Sequence, residues 1–449
     1  MASSTTSHQA QSAAQDVLHE SRVTPVQGLI LLLTMVASMI EGFDIVVIAY
    51  AAPAISDDWG VSSEQLGIVL SAGLFGMMLG AMSLSWLADR HGRRLAVSLT
   101  LLTAGLSTCL VYFVLTVAQL IALRVVAGLA LGVLVATLPV LAGEFSPARY
   151  RTLAVSLLIA AAALGAVVGG YGSAALIAEQ GWRSIFLYAG LFTLCIGVLV
   201  HLYVPESIAF LLRRPSEHTL VTVNRTLQFI GQHTIAQLPT THSPEKAEAA
   251  TVAALLTPPR RLTTLLTWSA FFTGFLVVYF VMSWRPKVLS DAGVSQTQAI
   301  KGTSLIPFGS LVGTTLFGRL SRWWPLNRII AVGCVVGACL ILVLSGLLQD
   351  VRSLTFFVIA AMSFWIGVSL MGAFSNLYAV ASTVYPVQMR STGIGWAAGL
   401  GRAGAVTSPT AAGLLLGLNI SMPTLFALAA IPALLSARSV GLIRLRELP

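Results

Sequence analysis

About twelve apolar stretches of roughly 20 residues follow one another along this 449-residue chain, each long enough for a helix to cross a hydrocarbon core of about 30 Å. Strands do not explain them, because outer-membrane strands are about ten residues long and alternate. Hydrophobic residues make up 56% of the chain and charged residues only 10%, where an ordinary soluble domain carries about a quarter charged. Such a chain needs lipid as its solvent and reads as an all-α membrane protein.

The spans expected are 27–50, 64–87, 95–116, 117–143, 152–176 and 183–204, then 263–284, 299–320, 328–348, 354–378, 390–415 and 420–441. Residues 1–26 are rich in Ser, Gln, Ala and Thr, lack the apolar core of a cleavable secretory signal, and read as a disordered tail. A polar stretch at 205–262 with Pro215, Pro244, Pro258, Pro259 and three His reads as a linker between a bundle at 27–204 and another at 263–444. Residues 445–449 form a short second tail.

Basic residues set the expected orientation. With both termini in the cytoplasm, Arg90, Arg93, Arg94, Arg149, Arg151, Arg213, Arg214, Arg260, Arg261, Arg322, Arg328, Arg390 and Arg444 all fall inside. Arg183, Lys287, Lys301, Arg352 and Arg285 are left for the outer side, the asymmetry of a multi-pass plasma (inner) membrane protein. The net charge of +9 then reports topology and attraction to anionic membrane lipid, without a nucleic-acid partner. Cys109, Cys195, Cys334 and Cys339 all lie in apolar spans and read as packing residues, with no disulfide or metal role.

The two halves are related. Phe75-Gly76, Gly80 and Leu87 recur as Phe308-Gly309, Gly313 and Leu320 at a constant offset of 233. Pro147, Arg151 and Gly165-Ala166-Val167 recur as Pro386, Arg390 and Gly404-Ala405-Val406 at an offset of 239, and Gly42-Phe43 recurs as Gly274-Phe275. A six-helix unit duplicated in parallel is the pattern of a transporter whose halves rock about a site near the bilayer midplane. Glycines four apart (Gly76 and Gly80, Gly128 and Gly132, Gly165 and Gly169, Gly395 and Gly399) predict close helix approach, for static packing or for motion.

After the second span the chain reads Ser85-Trp86-Leu87-Ala88-Asp89-Arg90-His91-Gly92-Arg93-Arg94. This is similar to the loop signature of the major facilitator superfamily, with Ser85 in place of the usual leading glycine. Gly92 permits a tight turn, and Arg93 and Arg94 sit in the inner leaflet's negative field. Asp89 is placed to meet the positive N-terminus of span eleven, with Glu144 and Arg151 completing an ion-pair network that closes the inner side. The alternative is a solvated loop whose charges only fix topology. Arg322 stands in the second half where Asp89 stands in the first.

Ionisable residues deep in a span are costly and therefore functional candidates. Span one carries Glu41 and Asp44 on one face, span four Arg124 and span eleven Arg402. At about 1.5 Å per residue, Asp44 lies roughly 24 Å from the inner end, Arg124 roughly 10 Å from the outer end and Arg402 roughly 18 Å from the inner end. All three can therefore share one cavity. A desolvated carboxyl group near a guanidinium can exchange a proton, which makes Asp44, with Glu41 as auxiliary, the candidate proton site. An anionic substrate calls for the two parallel donors of an Arg, here Arg402 or Arg124. The competing reading is a permanent structural pair between Asp44 and Arg124. Span seven has Thr273 and Leu276 at the equivalent places, so a second acid is absent. Aromatic rings recur at helical spacing (Phe43, Tyr279, Phe280, Trp284, Phe364, Trp365, Phe374, Tyr378 and Trp396), able to stack on an aromatic ligand or to pack, and of these Phe43, Tyr279, Trp284 and Trp396 are the candidates for ligand contact, with Asn376 to hydrogen-bond it.

Together these motifs resemble the aromatic acid:proton symporter family of the major facilitator superfamily, the permeases for benzoate-type and hydroxybenzoate-type compounds. The resemblance runs from Gly28 onward and rests on Glu41-Gly42-Phe43-Asp44, on Arg124 with Gly128 and Gly132, on Gly393, Gly395-Trp396, Gly401-Arg402 and Gly404-Ala405, and on Pro205-Glu206-Ser207. It implies the twelve-helix major facilitator fold and symport of a small aromatic carboxylate with protons, by a monomer without a cofactor. It also implies that the span-one acids and the arginines of spans four and eleven carry the task. Trp284-Arg285-Pro286 departs from the family, which has an apolar residue between the Trp and the Pro. An efflux transporter of the same fold, or a chemoreceptor that binds the acid without turnover, are the alternatives; span five lacks the Gly-Pro turn of proton antiporters. An enzyme is not expected, since there is no intramembrane His cluster, metal-spaced acid pair or nucleophile motif.

Overall fold

The computed structural model describes residues 23–84, 86–213, 219–235, 252–258, 260–350 and 354–443. Twelve spanning helices account for most of them. In the first half they are α1 (Pro25–Trp59), α2 (Ser63–Ser83), α3 (Arg93–Leu110), α4 (Val117–Phe145), α5 (Ala148–Gln180) and α6 (Trp182–Tyr203). In the second half α7 spans Arg261–Asp291, α8 runs as Gln296–Thr303 and Leu305–Leu320, and α9 spans Leu326–Leu347. There α10 runs as Phe356–Ile366 and Gly372–Val384 about a π-helical turn at Gly367–Met371, followed by α11 (Val387–Gly417) and α12 (Met422–Leu442). Among the described residues there is no strand.

Local chemistry fixes where helices start. Thr24, Ser62 and Thr116 each cap a helix whose third residue is Gln, and each Gln side chain returns a bond to the cap's own N–H. Gly60 ends α1 in the left-handed conformation, at φ 59°. Ten of the twelve helices are long and apolar enough to cross a membrane by length and composition alone. The exceptions are α8, interrupted at Ser304, and α11, which is rich in Gly, Ser and Thr and carries Arg402.

The duplication read from sequence is physical. In the first half α1 packs on α5, α2 on α4 and α3 on α6; in the second, α7 packs on α11, α8 on α10 and α9 on α12. The glycine contacts repeat atom for atom. A Cβ on Gly76 or Gly80 would lie 2.3 Å from the Val125 carbonyl oxygen or 2.1 Å from that of Leu129. On Gly309 or Gly313 it would lie 2.1 Å from the carbonyl oxygens of Phe364 and Val368, the equivalent positions. Gly128 against Gly73 O and Gly367 against Ile306 O match likewise, each at 2.1 Å. These helices touch backbone to backbone, where a side chain has no room.

Gly395 and Gly399 depart from the expectation: nothing lies within 4 Å of a Cβ on either, so their spacing brings no helix close. Gly128→Val is accordingly expected to yield no folded protein in a detergent-solubilised melting assay. Gly395→Ala should leave stability within about 0.5 kcal/mol of wild type.

Both halves present their linker connections on one side of the bundle, called here the linker side. On the opposite, far side the halves meet. Thr410 Oγ1 of α11 lies 2.8 Å from Ser71 Oγ of α2, Gly413 packs on Ser63 O, and Ser304 packs on Gly170. Lys301 lies over the Tyr171 ring at 5.9 Å. The interior between the halves is therefore sealed toward the far side.

Candidate functional site

Between the sealed far ends and the linker side lies a cavity of about 180 Å³. The second half gives it one wall of rings: Phe275 and Tyr279 from α7, one helical turn apart, and Phe374 and Tyr378 from α10, likewise. Phe275 stacks on Tyr279 with centroids 5.9 Å apart and meets Phe374 edge-on at 4.2 Å. The π-helical turn widens α10 immediately before this pair. Arg402 of α11 completes the wall and reaches across to the first half, its Nη1 donating to Met77 O at 3.4 Å. The first half contributes Glu41, Ile45, Leu74, Met77, Met78 and Val135. Glu41 and Arg402 are half-buried and close enough for their charges to interact, with no direct ion pair between them.

Asp44, one turn beyond Glu41, occupies a different place. Arg124 clamps it from α4, with Nη1 to Oδ1 at 3.0 Å and Nη2 to Oδ2 at 2.7 Å, and Nη2 also bonds the Asp44 carbonyl oxygen at 3.0 Å. The fork is 2% exposed on Arg124 and 7% on Asp44, and the space beside it is only about 10 Å³. That arrangement is a buried pair between α1 and α4, separated from the larger cavity by Ile45, Leu74 and Met77, which line both spaces. Of the four ionisable candidates the structure thus brings Glu41 and Arg402 together and sets Asp44 and Arg124 apart from them. Nothing in the second half repeats the pair, because Leu276 and Ser363 hold the equivalent positions.

Four other candidates lie away from the cavity lining. Trp284 is wholly buried and donates from Nε1 to Pro409 O at 3.1 Å, joining α7 to α11. Trp396 is 47% exposed beside Trp268. Phe43 packs against Gly169 of α5. Asn376 spends its amide donor on Gly372 O at 2.8 Å, within its own helix. Phe374 and Tyr378, two of the rings at helical spacing in the sequence, also line the cavity, and Phe275 is the lining ring that the sequence reading missed; the signal that finds it is an aromatic pair four residues apart in each of two helices. Arg285, expected at the outer mouth, is completely buried.

The linker-side charges form a compact network inside the first half. Glu206 accepts from the backbone N–H groups of Arg93 at 2.8 Å, Arg94 at 3.3 Å and Ser207 at 3.0 Å, so a carboxylate closes the positive N-terminus of α3. A Cβ on Gly92 would strike that carboxylate, and Gly92 has φ 102°, so only glycine fits there. The Arg93 guanidinium pairs with Glu144, whose other oxygen accepts from Ser207 Oγ at 2.6 Å. Arg94 donates to His201 O through Nε and Nη2. Arg151 departs from the expected ion pair with Glu144 and donates from Nε to Gly143 O at 3.0 Å. Asp89 sits on a short helix, Trp86–His91, and its side chain lies outside the described residues.

Among the described residues no group of three His, Cys, Asp or Glu could hold a metal ion. The sequence pattern of the Major Facilitator Superfamily matches residues 34–409. The chain is 31% identical to the gallate transporter of Pseudomonas putida over 438 residues, 97% of this chain and 96% of that one. It is 31% identical to the 4-hydroxybenzoate transporter PcaK of Acinetobacter baylyi, covering 95% and 93% of the two chains. In three dimensions it is similar to the xylose transporter XylE of E. coli in an inward-open conformation, with a TM-score of 0.70 at 15% identity over 93% of this chain and 96% of that one. Family, fold and pseudo-symmetric architecture agree: the chain belongs to the Major Facilitator Superfamily and, within it, to the aromatic-acid transporter family.

Proposed function

We propose that this protein imports a small aromatic carboxylate together with protons, by alternating access of the central cavity to the two sides of the membrane. The observation that carries the reading is the placement of Glu41 and Arg402 across one ring-walled cavity. Arg402 offers two parallel N–H donors to a carboxylate, and Phe275, Tyr279, Phe374 and Tyr378 offer faces and edges to an aromatic ring. At about 180 Å³ the cavity is smaller than the roughly 300–1,000 Å³ typical of sites for drug-sized ligands, which suits a single-ring acid. Relatives that carry gallate and 4-hydroxybenzoate support that substrate class.

The proton sits on Glu41 in this reading. When Glu41 is ionised, its negative charge competes with the substrate for Arg402; when protonated, it leaves the guanidinium to the carboxylate and makes the loaded site closer to neutral. Transfer of substrate and proton is thereby linked through one cation. Asp44 and Arg124 hold α1 against α4 and keep Glu41 in register. The linker side is the cytoplasmic side, on the strength of the arginines that follow α2, α4, α6 and α8, and the Arg93–Glu144 network steadies the inner ends of the first half as the halves rock.

The test is uptake of labelled 4-hydroxybenzoate and gallate into proteoliposomes. Accumulation is expected with an inwardly directed proton gradient and not without it; accumulation indifferent to the gradient rejects symport, and binding without uptake favours a receptor. Arg402→Lys is expected to raise KM for carboxylates by about tenfold or more, since Lys keeps the charge and loses the fork. Unaltered kinetics in that variant would remove Arg402 from the anion site.

A further inference from the structure

Arg285 presents an unanswered charge in the far half of α7. It is 0% exposed, and a guanidinium carries five N–H donors. One bond is made, from Nη2 to Ile359 O of α10 at 3.2 Å, while Nε and Nη1 find no acceptor. No carboxylate pairs with it among the described residues, and its neighbour in sequence Asp291 is taken by Lys287. A cation left in this condition is expensive, and stable folds pair it or remove it.

Its position says when a partner arrives. Arg285 lies six residues beyond Tyr279 on α7, about 9 Å further toward the far side and about 120° round the helix, where it meets α10. Its single bond ties α7 to α10, the two helices that build the ring wall. Pro286 follows it and lacks the N–H that would close the helical bond to Met282 O, which makes this the point where α7 can bend as the far ends part. With the far ends closed, as here, the guanidinium is shut away.

We propose that Arg285 is a second carboxylate site, which captures the substrate's anionic head at the outer mouth of the far-side-open conformation and passes it inward to Arg402. The proposal rests on the carboxylate-transport reading and adds an entry step to it. Because release outward passes the same residue, the site serves both directions of exchange.

The experiment measures labelled 4-hydroxybenzoate and gallate transport in intact cells and in inverted membrane vesicles, for wild type, Arg285→Leu and Arg285→Lys. In Arg285→Leu the KM measured from the outer side is expected to rise at least tenfold. The KM from the cytoplasmic side stays within twofold while Vmax of outward transport falls. Arg285→Lys recovers part of the outer-side loss. An outer-side KM unchanged in both variants reduces Arg285 to packing, and a KM that rises equally from both sides places its effect in the Arg402 cavity; either overturns the site. Should Arg285→Leu fail to fold, Arg285→Lys alone decides, with a threefold or larger outer-side rise expected. Wild type that carries neither acid sinks the transport reading and the site together, whereas wild-type uptake with unaltered variants sinks the site alone.

Discussion

Glu41→Gln is expected to abolish accumulation of aromatic carboxylate against its gradient while leaving substrate exchange at equal pH within a few-fold of wild type. Gln keeps the size and the hydrogen-bonding shape of a protonated Glu but neither takes up nor releases a proton, so Arg402 is freed for the carboxylate in every conformation. Transport continues as a passive exchange, and the link to the proton gradient is cut. Proteoliposome uptake with an imposed gradient, set beside counterflow with none, reads the two properties separately. Full gradient-driven accumulation in this variant would take the coupling role away from Glu41. Loss of exchange as well as accumulation would instead make Glu41 part of substrate binding.

The second large effect concerns the clamp on Asp44. Removing one partner of a fully buried ion pair typically costs about 3–5 kcal/mol, because the other charge is left uncompensated. Arg124→Ser and Asp44→Leu are therefore each expected to lower the melting temperature markedly or to prevent folding. The two changes together should recover most of that loss. They reproduce in the first half what the second half already does, with Ser363 and Leu276 at the equivalent positions. Thermal melting of the three variants in detergent checks the expectation: a double variant less stable than either single one refutes the structural-pair account. Uptake by the double variant decides the rest. Gradient-driven accumulation confines the pair to architecture, and a folded but uncoupled protein assigns proton exchange to Asp44.

These two predictions divide what the sequence treated as one group. Four intramembrane charges were legible from composition alone, because each is an exception in a span that is otherwise apolar. Their depths were legible from the helical rise. Their partners were not, since three residues on a helix is one turn, and one turn separates a carboxylate locked on α4 from one facing a cavity. The aromatic candidates show the same limit. Tyr279 lines the cavity and Trp284, five residues further on the same helix, anchors α7 to α11. The two are more than a quarter turn apart around α7, and the facing helix decides which ring meets the ligand.

The duplicated glycines went the other way. Their recurrence at fixed offsets announced equivalent helix contacts, and the matching close approaches of Gly76, Gly80, Gly309 and Gly313 to facing carbonyls follow from it. Gly395 and Gly399 carry the same spacing without a close neighbour, because spacing describes a face of one helix and says nothing of what lies opposite. Glu144 was readable as a member of an ion-pair network with Arg151, whereas its pairing with Arg93 and the role of Glu206 at the start of α3 were visible only once α3, α4 and α6 were seen side by side.

By itself the sequence determined the solvent, the twelve spans, the duplication and the short roster of charges, since each is set by local hydrophobicity and by periodicity along one helix. The tertiary structure decided which charges answer one another, which rings wall the cavity, and that Arg285 is left without an acceptor for two of its nitrogens. The reason is that pairing and burial depend on rotation and on the neighbouring helix, which residues close in sequence share only in part and residues eighty positions apart, such as Asp44 and Arg124, come to share completely.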